Sequence, residues 1–106
     1  MQETVQFELS KDYLERFKEA IELHDKSFVI SSLENVPAAD ITLLLDNFDA
    51  EESKYVIDQL DLEIGAKVII DLDEDVRSRF LRIFSTSEIA AFVNSLDSDD
   101  AVDLLS

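Results

Sequence analysis

Four aspartates fall within seven residues in the stretch LDSDDAVDLL, from Leu96 to Leu105. A carboxylate in such a place can hold a hard divalent cation, cap a helix, or pair with a basic side chain. Two of the four have structural work in view. Asp97 precedes a helical stripe as an N-cap would, and Asp100 stands three residues on, at the capping-box position. Asp99 and Asp103 have none. Their i, i+4 spacing puts them on one helix face as a like-charge pair, which costs a few tenths of a kcal/mol. No basic residue occurs from Ser85 to Ser106 to neutralise them. A hard cation such as Mg2+ would relieve that repulsion through carboxylate oxygens. The competing reading is a solvated acidic face. Magnesium keeps most of its waters and needs more ligands than one face supplies, so binding to this chain alone is expected to be weak or absent. A millimolar affinity, on the order of −4 kcal/mol, is the expected ceiling.

The other chemically capable residues read as structural. Asp49, Asp61 and Asp73 open helical stripes, where a side-chain oxygen can satisfy free N–H groups. Asp71, Asp73, Glu74 and Asp75 resemble a metal loop, but Asp73 and Asp75 lie four residues before Arg77 and Arg79. Two helix ion pairs and a solvated face are expected there. Arg77, Arg79 and Arg82 form the single basic knot, and acid pairing outweighs phosphate binding for them. His24 reads as a polar residue at a helix end rather than a ligand. No Ser/His/Asp set, P-loop or glycine-rich fingerprint is present, so the chain does not read as an enzyme.

These residues need a scaffold, and composition limits the choices. The chain has 106 residues, 46% of them hydrophobic, with 25 acidic against 9 basic residues for a net charge of −16. That much apolar material supports one folded domain over residues 1–106 rather than an acidic tail. The charge repels phosphate backbones, excluding nucleic acid as a partner, and attracts cations or a basic protein surface. Absence of cysteine removes disulfides and thiolate metal sites. No apolar run approaches the length of a membrane span, and the opening MQETVQFEL does not read as a signal peptide.

One glycine and one proline leave little turn chemistry, so helices are the default. From Pro37 the chain falls into twelve-residue blocks: PAADITLLLDNF, DAEESKYVIDQL, DLEIGAKVIIDL, DEDVRSRFLRIF, STSEIAAFVNSL and DSDDAVDLLS. DKSFVISSLENV fits from Asp25 less well, since Ser32 takes an apolar slot. The eighth position reads Leu44, Val56, Val68, Phe80, Phe92 and Leu104; positions nine and twelve are apolar too. Within a block the apolar spacing is helical. Across blocks one helix fails, because twelve residues turn the stripe by about 120°. Each block must be its own short helix, with breaks near Asp25, Pro37, Asp49, Asp61, Asp73, Ser85 and Asp97, after a first helix around Lys11–Leu23. Such helices are marginal alone and need neighbours. The expected architecture is all-α, a superhelix of short antiparallel helices in twelve-residue half-repeats. Position five is apolar in Ile41, Ile89 and Ala101 but not in Ser53, Gly65 or Arg77. Ile64 and Val76 at position four suggest that the buried face rotates between helices. The phenylalanines, Phe7 to Phe92, mostly fall on core positions.

The segments LENVPAADITLLLDNF, LDLEIGAKVIIDL and SLDSDDAVDLL resemble the leucine- and aspartate-rich repeats of the N-terminal cytoplasmic domain of MgtE-type magnesium transporters. The pattern there is roughly L-x-x-L-x-P-x-D-x-A-x-L-L-x-x-L. The resemblance runs from about Leu14 to the end, and departs from the family in keeping only Pro37 of several helix-starting prolines. It implies a right-handed superhelix preceding paired CBS domains, a connecting helix and a membrane channel domain. It also implies a magnesium-sensing regulatory role: Mg2+ between the acidic N domain and the CBS domains of the same protein favours the closed state. Asp99 and Asp103 match the D-D-x-x-D segment that faces those CBS domains, as metal residues. The full-length protein would be a homodimer, with this domain on the cytoplasmic side of the inner membrane and not embedded in it. The chain is expected to be a fragment of that longer protein.

Two other readings come from different classes. One is a protein-interaction helical module of the flagellar motor-switch type, whose short-helix superhelices look similar in sequence. The other is a free-standing armadillo-like scaffold, for which twelve-residue half-repeats are too short.

Overall fold

A computed structural model describes residues 10–105; Phe7, the opening segment MQETVQFEL and Ser106 lie outside the described residues. Eight helices follow one another: α1 Lys11–Glu22, α2 Lys26–Leu33, α3 Ala38–Leu45, α4 Ala50–Asp58, α5 Leu62–Asp71, α6 Glu74–Leu81, α7 Thr86–Asn94 and α8 Ser98–Leu105. Among the described residues there is no strand, and the fold is all-α.

Every expected break is a helix start. Asp25, Pro37, Asp49, Asp61, Asp73 and Ser85 are the N-caps of α2 to α7. Asp97 caps α8, its Oδ1 accepting from the Asp100 N–H at 3.0 Å. Asp49 with Glu52 and Ser85 with Glu88 form complete capping boxes. The expectation of a side-chain cap fails at Asp61 and Asp73, which make no such bond. Both hold φ near −60° with ψ of 146° and 148°, close to the 149° of Pro37, whereas Asp49 and Ser85 sit at 177° and 162°. Ile64 and Val76 at the N3 positions offer no reciprocal acceptor.

The α1–α2 corner is closed by a Schellman arrangement. His24 N–H donates to Ile21 O at 3.1 Å and Asp25 N–H to Ala20 O at 2.8 Å, with His24 at φ 56°. Its imidazole stacks on Tyr55 at 5.1 Å, so His24 is a helix-end residue as read from the sequence.

The eighth position of every block from Pro37 onward is buried, from Leu44 to Leu104. Position five overturns one expectation. Ile64 and Val76 are exposed, at 37% and 38%, so the buried face does not shift to position four. Position five stays inward instead, filled by small residues: Ser53 and Gly65 are buried. The reason is close approach. A Cβ on Gly65 would meet Ile57 Cγ2 at 3.3 Å and Phe92 Cε1 at 3.4 Å, so the missing side chain lets α4 and α7 close on α5.

One core runs through the whole molecule. α1 packs on α2 and α4, α7 on α8, and α5 lies against α3, α7 and α8. Much of the packing therefore joins helices two apart in sequence, and the molecule extends 41 Å along its longest axis. Aromatic side chains gather at two places. Phe17 contacts Tyr13, Phe28 and Phe48 in the first half, and Phe84 sits edge-on to Phe80 and Phe92 in the second.

Candidate metal site

α8 carries the acids that the sequence singles out. Asp97 ends the preceding turn and fixes the helix start, so Asp99 and Asp100 lie in the first turn. There the N-terminal dipole favours negative charge. The Asp97–Asp100 box is only half made: the Asp100 N–H reaches Asp97, and the shorter Asp100 side chain makes no return bond. Leu104 anchors α8 in the core at 0% exposure. Asp99 and Asp103 are exposed. Among the described residues neither accepts a hydrogen bond nor pairs with a cation. The structure thus leaves both carboxylates solvent-facing, with no basic side chain among the described residues paired to them.

That donor set suits magnesium in kind but not in number. Exposed carboxylate oxygens are the hard ligands Mg2+ takes, usually one or two of them with several waters retained. Among the described residues no group of three or more His, Cys, Asp or Glu is placed to hold a metal ion. Asp99 and Asp103 can offer a hydrated ion at most two carboxylates.

Some of the other acids have occupations, one of them invisible to sequence reading. Lys54 of α4 donates to Asp58 Oδ2 at 3.1 Å and to Glu88 Oε2 at 3.3 Å, with its ammonium 5.0 Å from the Phe84 ring centre. Glu88 also completes the capping box of α7. Burial works to lower the Lys54 pKa, but the hydrogen bonds and charges of Asp58 and Glu88 outweigh it and the net shift is upward. The Glu88 carboxyl is held below its ordinary value, first by the Ser85 N–H and then, against burial, by Lys54. Asp58 could be anticipated at i+4 from Lys54. Glu88, 34 positions away, could not.

The expected pairs of Asp73 with Arg77 and Asp75 with Arg79 do not form among the described residues. Arg77 turns back instead, its Nη1 donating to Ile70 O at 2.9 Å and Leu72 O at 3.1 Å. The free carbonyls at the end of α5 are strong acceptors in a half-buried place, and they win over an exposed carboxylate. Asp71, Asp73, Glu74 and Asp75 are all exposed, as a solvated face requires.

The sequence model of the family described as the MgtE intracellular N domain matches residues 36–106, about two thirds of the chain. The chain belongs to this family. The match begins at Val36, two residues before α3, so α1 and α2 lie outside it although they share the core; the resemblance read from residues reaches further, to Leu14. α8 and both candidate aspartates lie inside the matched MgtE N-domain segment. No curated protein and no solved structure matches the chain. No helix among the described residues is long and apolar enough to cross a membrane.

Proposed function

We propose that this MgtE-type N domain is the magnesium-sensing regulatory part of a magnesium transporter, acting through contact with CBS domains of the same protein. The observation that carries the reading is the unpaired, exposed couple Asp99 and Asp103 on α8, within the segment that matches the family. A net charge of −16 repels any other acidic surface. Mg2+ held between the α8 carboxylates and facing acids would offset that repulsion and favour a closed arrangement. When magnesium is scarce the repulsion returns and the domain separates. Family membership favours this reading over the motor-switch type of interaction module.

The test is Asp99→Asn with Asp103→Asn in the full-length transporter, read by magnesium-dependent protection from protease. Loss of protection in a folded variant is the expected result. Unchanged protection would show that the pair is a solvated face.

A further inference from the structure

The turn between α4 and α5 carries apolar surface that the magnesium reading does not use. Leu60 lines two hollows, one on each side of it. On one side Ile57, Leu62, Ala91 and Phe92 line a cavity of about 130 Å³, whose acids Asp58 and Glu88 are both taken by Lys54. On the other side a larger groove of about 270 Å³ runs between the end of α2 and the start of α5. Its floor is Leu33, buried, and Leu60; its walls are Ile30 and Ile64, 50% and 37% exposed. Glu34 and Asp61 stand on its rim. Among the described residues neither carboxylate makes a hydrogen bond or ion pair, and no basic residue lines the groove.

We infer that this groove docks the apolar face of a basic amphipathic helix from a protein partner. Ile30 and Ile64 would close over leucine-like anchors spaced i, i+3, i+4, while Glu34 and Asp61 meet lysine or arginine flanking them. Charge selects this occupant over two others. A second copy of the chain would bring another net charge of −16 to the same acidic rim. The chain's own residues 1–9 hold Glu3 and Glu8 and no basic residue. The inference stands apart from the magnesium proposal, because neither Asp99 nor Asp103 lines the groove.

The experiment titrates the full 106-residue chain in chelator at physiological salt, where diffuse charge attraction is screened. The probe is a synthetic four-turn peptide with leucine at i, i+3, i+4 and i+7 and lysine opposite, beside its scrambled isomer. Amide shifts confined to residues 30–35 and 59–64, with the scramble inactive, are expected. Ile30→Ser with Ile64→Ser should weaken binding at least about tenfold. Glu15→Gln with Glu19→Gln on α1 should leave it unchanged. Both isoleucines are exposed, and circular dichroism checks that the variants stay folded. Equal binding by the isoleucine variant, or shifts spread over α1 and α8, would overturn the inference in favour of plain charge attraction. Concentration-dependent shifts at the groove without peptide would assign it to a second copy. Shifts there on deleting residues 1–9 would assign it to the chain's own start.

Discussion

The α4–α7 junction and α8 are both acidic, yet their carboxylates live differently. At the junction, the Glu88 carboxylate accepts from the Ser85 N–H of a helix start and shares Lys54 with Asp58. On α8, Asp99 and Asp103 stand four residues apart and form no ion pair among the described residues. One surface is partly neutralised, one lysine against two carboxylates, and holds two helices together. The other keeps its carboxylates exposed to solvent. What separates them is a single lysine from a distant block, so acid count along the sequence says little about which acids are available.

Four measurements would break or sharpen this contrast. The largest effect is expected at Gly65, where α4, α5 and α7 meet. Gly65→Leu drives a side chain into Ile57 and Phe92 and should destabilise the fold by about 1–3 kcal/mol in urea unfolding. A variant of wild-type stability would mean that the junction is looser than the 3.3 Å approach implies.

Lys54→Met comes next. The methionine keeps the apolar stem over Phe84 but removes the charge, leaving Asp58 and Glu88 to repel. Both carboxylates are about 40% exposed, so solvent screens much of the loss, and about 1 kcal/mol is expected. Restoring stability by adding Glu88→Gln would show that the loss is electrostatic.

Acid titration reads the same junction in another way. The Glu88 pKa is depressed on folding, so its contribution is present above the ordinary glutamate value and is lost as pH falls through the lower folded value. Protonating the other carboxylates relieves self-repulsion and works in the opposite direction. Glu88→Gln should therefore remove part of the acid-side loss below about pH 4.5, and an unchanged acid limb would assign that loss elsewhere.

The smallest effect on the fold is expected on α8. Asp99→Asn with Asp103→Asn removes a like-charge pair but also the favourable charge of Asp99 in the first turn of α8, so the melting temperature of the magnesium-free chain should change little. Any extra stabilisation by Mg2+ over matched ionic strength should shrink in this variant. A clear drop in stability would mean that the two aspartates hold the fold rather than face outward.

The helix starts were legible because they are local: a cap, its partner three residues on and an apolar stripe all fit within one block. The eighth-position core was legible for the same reason. Position five was misread because exposure and close approach cannot be told apart from an apolar count. Ile64 looks like a core residue and is exposed, while Gly65 looks like a gap and is buried. The α8 pair was legible through what its neighbours lack, a basic residue within a helix turn. The Lys54–Glu88 contact and the α4–α5 groove were not, since both depend on which helices stack.

The guanidinium of Arg77 ties α6 to the end of α5. It belongs to α6, yet its bonds are to the last carbonyls of α5. α6 buries only Phe80, so it has little to hold it folded on its own. When α6 opens, the end of α5 loses its carbonyl partners and frays with it. Amide hydrogens of both segments should therefore exchange together, at a lower opening free energy than the Gly65 end of α5. A short helix with one core residue thus sets how far local unfolding spreads into the best-packed helix of the molecule.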